Sequence, residues 1–443
     1  RDLGVLCHLY YGGHVGDTEI DYRIVNLNRG FSGNPHDIGD ADRTYSMDTL
    51  PQEYTGYGNG DYRINGIAIA NPDGSDVVDL RYESHEIIDG KYSLKGLPHM
   101  FGTAEEAQTL IINMVDSVSQ VKVQLLYGVF YELDVITRTC RMINESRKPL
   151  RLKRFMSMEM DFENRLMDYI HFYGRHAMER ETERLPVGHG VHLIESKRGM
   201  SSHQHNPFLI LCDKQTDEEH GDAFGFSFIY SGNFRIEMEM DQIDQLRIVA
   251  GIHPYHFSYV VAPGQSFEAP EVAMAYSGEG LGQLSRVYHD AYRSNLIRSK
   301  WVNRPRPILV NNWEATYFDF DEEKIYGIAK QAKEIGLDML VLDDGWFGDR
   351  NTDFGGLGDW YVNEDKLKGG LPKLVKRVKD LGLKFGLWIE PEMVSEESRL
   401  FKEHPTWLMR VPKRGVERSR GQLNLDITRQ DVRAKFLVKT VSG

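Results

Sequence analysis

Three stretches decide the architecture of the C-terminal part: Pro307-Ile-Leu-Val310, Met339-Leu-Val-Leu342 and Lys384-Phe-Gly-Leu-Trp-Ile389. Each is a short apolar run of strand length, and helical patterns separate them. Asp321 is placed to cap a helix with Glu322 and Glu323 in its positive first turn. Ile325, Ile328, Ala332 and Ile335 would form its buried face, and Gly336 its end. Leu371, Leu374, Val375, Val378 and Leu381 make a second helical face, with Pro372 near its first turn and Gly382 behind it. Leu423-Asn-Leu-Asp-Ile427 reads as one more short strand, and Thr428 with Asp431 as the capping box of a last helix. Strand–helix alternation predicts parallel strands joined by right-handed crossovers. Residues 305–443 then form the first part of a (β/α)8 TIM barrel, because a whole one needs about 250 residues.

Upstream the pattern changes twice. Leu284, Val287, Tyr288, Ala291, Tyr292 and Leu296 recur at three- and four-residue steps, which predicts a helix over about 283–298. With its flanks (281–304) it reads as a connector. Before it, over residues 1–280, the period is two. Phe234-Arg-Ile-Glu-Met-Glu-Met240 alternates apolar with charged, as a strand with one wet face does. Val121–Leu125 and Val135–Met142 behave alike, Phe224-Gly-Phe-Ser-Phe228 puts three rings on one side, and Gly4–Tyr11 reads as a strand with no lead-in. Turn clusters such as Asn71-Pro-Asp-Gly74 and Ala262-Pro-Gly264 punctuate these runs. Many short strands between turns predict a large antiparallel sandwich. The fold class is therefore multidomain, β followed by α/β. Residue 1 is Arg, and Lys439–Gly443 stops in mid-pattern, so both ends are expected to be cut.

Charge and cysteine usage exclude several classes. There are 66 acidic against 53 basic residues, a formal net charge of −13. Phosphate backbones repel such a surface and no Lys/Arg run interrupts it, so no nucleic-acid partner is expected. No stretch approaches the roughly 18 uninterrupted apolar residues of a membrane helix, and no membrane partner is expected either. Cys7, Cys140 and Cys212 are far apart with no CxxC pair. That argues against a disulfide framework or a cysteine zinc site, and it fits the cytoplasm. No metal or other cofactor is expected.

A barrel builds its site at the carboxyl ends of its strands. The first strand runs into Asn311-Asn-Trp-Glu314, the second into Asp343-Asp-Gly-Trp-Phe-Gly348, and the third into Trp388-Ile-Glu-Pro-Glu392. Arg420 precedes the next strand and Asp426 ends it. Alone, an Asp after a strand is more often a cap or turn residue, and a Trp there is more often core. Three successive ends of this kind point instead to a sugar site, where a ring CH face stacks on indole while hydroxyls donate to carboxylates.

Leu342-Asp-Asp-Gly-Trp-Phe-Gly348, Gly358-Asp-Trp360, Gly386-Leu-Trp-Ile-Glu-Pro-Glu-Met-Val394 and His404-Pro-Thr-Trp407 resemble the bacterial α-galactosidases of glycoside hydrolase family 36. Arg43-Thr-Tyr-Ser-Met-Asp-Thr-Leu50, Gln52-Glu-Tyr54, Gly60-Asp-Tyr-Arg63, Ser201-Ser-His-Gln204 and Asn206-Pro-Phe208 extend the resemblance over the N-terminal half. It implies an N-terminal β-supersandwich, a central barrel and a C-terminal β-sandwich. The implied reaction is hydrolysis of terminal α-1,6-galactosides such as melibiose and raffinose with retention, which uses two carboxyls about 5–5.5 Å apart. The family's nucleophile is the Asp of a Lys-Trp-Asp strand end, and its acid/base an Asp after a Cys-Ser-Gly-Gly-Gly stretch. Neither motif occurs here. No catalytic residue is therefore assigned, both are expected beyond Gly443, and this fragment alone is expected to be inactive.

What the resemblance carries over is binding of galactoside oligosaccharides. Asp343 and Asp344 match the pair that grips galactose O4 and O6, and Trp388 and Trp313 match pocket walls. Arg420 matches an Arg reaching the ring hydroxyls, with Arg418 a rival for that role. Arg63 lies on a loop that in tetrameric members enters a neighbour's pocket, although Ile64-Asn-Gly66 replaces the usual Arg-x-Pro-Ala continuation. A homotetramer of the full-length protein is implied in the same way.

Other residues have simpler roles. Glu390 and Glu392 face the same way and are suited to ordering their loop, Asp426 reads as a strand-end residue, and His203 and His205 lack an HExxH-like partner. Two rival functions are a non-hydrolytic galactoside-binding or assembly remnant and a raffinose-type galactosyltransferase. A half barrel also leaves a sheet edge and apolar faces uncovered. Residues 305–443 expressed alone are expected to aggregate or stay molten; a sharp cooperative melt of that piece as a monomer would contradict the half-barrel reading.

Overall fold

The computed structural model describes residues 4–16, 19–24, 46–162 and 166–441. Arg43, Thr44 and Tyr45 of the first N-terminal motif, and both extreme ends of the chain, lie outside them. The chain divides into two compact units, Arg1–Val302 and Asn303–Gly443.

In the first unit the described strands form a ten-stranded and a six-stranded sheet. Ala107–Asp116, Val121–Phe130 and Val135–Asn144 run as an antiparallel meander in the larger sheet. In the smaller sheet Phe234–Met240 pairs antiparallel with Leu246–Ile252 on one side and Gly190–Ser196 on the other. Its alternation works as expected on one face. Phe234, Ile236, Met238 and Met240 meet Phe224, Phe226 and Phe228 of the larger sheet in one core. The other face is drier than alternation predicts, because Glu237 is buried against Arg154 and pairs with Arg235 at 3.2 Å.

One expectation in this unit fails. Gly4–Tyr11 forms no regular strand, only an isolated antiparallel bridge between Cys7 and Gln52. Its neighbour there includes Pro51, which accepts from His8 N at 2.8 Å but has no N–H to extend a ladder. The helix predicted over about 283–298 is present, spanning Gly280–Asn295, and it packs within the first unit. Leu284, Tyr288 and Ala291 pack with Ile210, Ala273 and Ala275 of the larger sheet. Gly225 makes this approach possible: a Cβ there would lie 2.5 Å from the Tyr288 ring.

In the second unit Leu309–Asn311, Met339–Leu342 and Lys384–Leu387 pair in parallel and in chain order. Asp321 caps the helix Glu322–Glu334 by accepting from Lys324 N at 2.8 Å. That helix and Gly370–Asp380 contribute Ile325, Ala329, Leu374 and Val378 to a core shared with Leu340, Leu342 and Phe347. Ile335, expected on the buried face, is 75% exposed, because it is the C-cap and lies past the last helical turn.

The fourth strand is not a parallel one. Leu423–Asn424 pairs antiparallel with Met393–Val394 in a separate two-stranded sheet. The segment between them carries the five-residue helix Arg399–Glu403 and a short 3-10 turn at Pro405–Trp407, with no long crossover helix like those between the parallel strands. The expected capping box is also absent. Asp426 takes the Thr428 N–H at 3.1 Å, and Asp431 instead accepts from Val432 N and Arg429.

Candidate functional site

The parallel strands stop at Asn311, Leu342 and Leu387, and the residues that follow converge through hydrogen bonds. Asn311 accepts from Trp313 N at 2.7 Å and donates to Asp343 Oδ2 at 2.5 Å. Asn312 is fully buried; it accepts from Asp343 N and donates to Thr316 Oγ1, both at 2.8 Å. The other Asp343 oxygen accepts from Asp344 N at 2.7 Å. Asp343 is thus held at its backbone and at both carboxylate oxygens.

Asp344 is the more buried of the two. Its carboxylate receives Arg350 Nε at 3.0 and 3.1 Å and Nη2 at 2.7 Å. Both residues are buried, so this is a charge-assisted fork rather than a surface pair. Gly345 turns the chain at φ +94, where a Cβ would come 2.9 Å from the Phe318 ring. Lys366 braces the same turn, donating to Phe318 O at 2.9 Å and Gly345 O at 3.1 Å. Burial pulls its ammonium below the usual lysine range, and Asp344 and Asp319 oppose that.

An aromatic wall adjoins the carboxylates. Trp388 stacks on buried Phe347 at 6.3 Å and 17°, and its carbonyl accepts from Trp346 Nε1 at 2.9 Å. Trp313, half-buried, stands edge-on to Phe318 at 5.0 Å. Half-buried Glu390 follows Trp388. Its carboxyl is pushed up by burial and then by Glu392, and drawn down by Arg420 and Arg350. Arg420 is exposed, and Arg418 is paired with Glu396 at 2.8 Å.

Five of the six candidate binding residues, Asp343, Asp344, Trp388, Trp313 and Arg420, lie in this unit. The sixth is Arg63. It belongs to the first unit, is buried, and donates to Asp61 Oδ2 at 2.8 Å and Leu50 O at 2.7 Å. Its guanidinium is engaged within its own unit. Asp426 is a turn residue that accepts from Thr428 Oγ1 at 2.5 Å. Arg350 escaped the sequence reading, although one signal was there: a buried Asp beside a second carboxylate needs a cation, and Arg350 is the first one downstream.

Acceptors fixed beside indole faces suit a polyhydroxylated ring. The chain matches the model of the glycosyl hydrolase family 36 N-terminal domain over residues 4–262 and the melibiase model over residues 266–442. It is 49% identical over 431 residues to the bifunctional alpha-galactosidase/sucrose kinase AgaSK of Mediterraneibacter gnavus, with 97% of this chain and 46% of that protein covered. The crystal structure of alpha-galactosidase AgaA from Geobacillus stearothermophilus is similar at a TM-score of 0.96 and 47% identity, over 99% of this chain and 61% of that one. An AgaA variant crystallised in complex with raffinose gives 0.95 and 46% over the same shares. The chain thus spans from under half to about three-fifths of the length of these relatives. By both family models and by these relatives, the chain belongs to glycoside hydrolase family 36.

Proposed function

We propose that this chain is the galactose-binding part of an α-galactosidase that removes terminal α-1,6-linked galactose from melibiose- and raffinose-type galactosides by a retaining, two-carboxylate mechanism. The observation that carries the reading is the Asp343–Asp344 pair, held by Asn311 and Arg350 beside Trp388. Two adjacent carboxylates can accept from the O4 and O6 hydroxyls of one galactose, while Trp388 and Trp313 cover its apolar face and Arg420 reaches its ring hydroxyls. The raffinose complex of the AgaA variant supports the substrate class.

The same proposal takes the three parallel strands as the opening of a (β/α)8 barrel and the two-sheet unit as a β-supersandwich. The nucleophile and acid/base would come from later strands of that barrel, beyond Gly443. A cytoplasmic homotetramer is part of the proposal, and with it a place for the Arg63 loop in a neighbouring subunit's pocket. Buried thiols at Cys140 and Cys212 suit a reducing compartment.

The test is proton NMR of the intact protein with melibiose. α-Galactose is expected as the first product, mutarotating afterwards to the β form. β-Galactose first would overturn the retaining mechanism. Galactose binding without turnover would favour the binding remnant, and transfer to sucrose rather than water would favour the transferase.

A further inference from the structure

We infer that Asn311 and Arg350 are positioning residues that fix the orientation of the Asp343 and Asp344 carboxylates and thereby set the preference for galactose over glucose; the inference rests on the role proposed above for that pair. Galactose and glucose differ in the direction of a single hydroxyl, at C4. A carboxylate free to turn about its terminal torsion, which is broad and roughly two-fold, can follow that hydroxyl in either direction. A clamped carboxylate accepts only along the lone-pair directions it still presents. Discrimination between the two sugars then depends on what holds the carboxylates, not on their charge alone.

The holding is complete on both. Asp343 receives Asp344 N at 2.7 Å on one oxygen and Asn311 Nδ2 at 2.5 Å on the other. Asp344 receives Arg350 Nε on both oxygens, at 3.0 and 3.1 Å, and Nη2 on one at 2.7 Å. An ionised carboxylate offers about four acceptor sites, so each Asp keeps capacity for a sugar hydroxyl after these bonds are made. Its plane, however, is already set.

Both clamps are themselves anchored. Asn311 accepts from Trp313 N at 2.7 Å, so one amide registers Asp343 against the residue that starts a pocket wall. Its amide orientation is thereby fixed: Oδ1 is taken by an N–H, which leaves Nδ2 for the carboxylate. Arg350 is 1% exposed and donates Nη1 to Gly355 O at 2.8 Å. Lys366 Nζ reaches Gly345 O at 3.1 Å and Arg350 O at 3.4 Å, pinning both ends of the turn that leads from Asp344 to Arg350. A planar fork held in this way cannot be copied by a lysine ammonium, which keeps the charge but loses the second parallel bond.

The experiment compares the intact wild-type protein with Asn311→Ala, Asn311→Asp and Arg350→Lys. It measures kcat and KM on an aryl α-galactoside and inhibition constants for galactose and glucose. Asn311→Ala and Arg350→Lys are expected to raise KM about tenfold with a smaller change in kcat, the loss that follows a misdirected charge-assisted hydrogen bond. The ratio of glucose to galactose inhibition constants should fall by a similar factor. Asn311→Asp, the same size as the native residue, is expected to be worse than Asn311→Ala, because it sets one carboxylate against another. A merely structural role would lower active protein without moving the inhibition ratio. An unchanged KM and ratio in folded Asn311→Ala overturns the inference, as does the same result in Arg350→Lys. If Arg350→Lys does not fold, the exposed Asn311 decides alone. Failure of wild type to bind galactose would overturn the underlying role of the Asp pair, and the inference with it.

Discussion

Replacing Arg247 with methionine is expected to lower the stability of the N-terminal unit by about 3–5 kcal/mol, the usual loss when one partner of a buried ion pair is removed. Arg247 is 1% exposed and sits at the centre of a cluster of charges. Its Nε and Nη2 meet Asp161 at 2.7 and 2.8 Å, and Nη1 lies 3.0 Å from Asp61 and 3.2 Å from Glu159. Asp161 also accepts from Gln52 N at 3.1 Å, and Glu159 from Thr55 N at 2.9 Å, so the cluster joins the loop around residues 52–63 to the sheet. Methionine fills the volume but leaves Asp61 and Asp161 to Arg63 and takes from Glu159 the guanidinium 3.2 Å away.

The sign of the pH dependence follows from Glu159. Its carboxyl is pushed up to about 7 by burial, with Asp161 and Asp61 adding to the rise and Arg247 opposing it. A carboxyl whose folded value lies above its unfolded value destabilises the fold increasingly as pH rises above the unfolded value. Removing Arg247 strengthens that effect. The loss measured by urea unfolding should therefore be larger at pH 8 than at pH 5. Arg293→Met is the control, since the Arg293–Asp290 pair is exposed at 60% and 64% and should matter by less than about 1 kcal/mol. Equal losses in the two variants would mean that the buried cluster contributes no more than a surface contact.

How much of this was legible beforehand depended on how local the cause is. Asp321 caps its helix because the cap is a contact three residues long, and Phe234–Met240 is a strand because its period is local. The charged face of that same strand misled, since the cover for Glu237 comes from Arg154, far away in sequence. Leu423–Asn424 looked like its predecessors, but its partner Met393–Val394 lies outside the parallel sheet, and no local period announces that pairing. In the site, the strand-end letters marked Asp343, Asp344 and Trp388 as a group. Their supports were not marked, because Arg350 reaches Asp344 through a loop whose return no periodicity describes. Arg63 differs: its role came from family resemblance alone, and no local pattern announced that Asp61, two residues before it, would hold its guanidinium.

In the intact protein, Asp344→Asn is expected to weaken galactose binding by about a hundredfold or more, and by more than Asp343→Asn does. Each charge-assisted hydrogen bond to sugar is worth roughly 1.5–3 kcal/mol, and an amide in place of the carboxylate forfeits the charge in all of them. For Asp344 there is a second loss. Its partner Arg350 is buried, so the substitution leaves a guanidinium without its counter-charge and turns an amide N–H toward it if the sugar is still to find an acceptor. Asp343 has no such buried cation; its Oδ2 partner is the neutral, exposed amide of Asn311. Calorimetric titration with galactose and thermal melts of both variants separate the two losses. Asp344→Asn should fall in both affinity and melting temperature, and Asp343→Asn mainly in affinity. Adding Arg350→Met to Asp344→Asn should restore part of the melting temperature, because the stranded charge is gone, while affinity stays low. If affinity returned along with stability, the carboxylate would be a structural counter-ion and the grip on galactose would have to lie elsewhere along the strand ends.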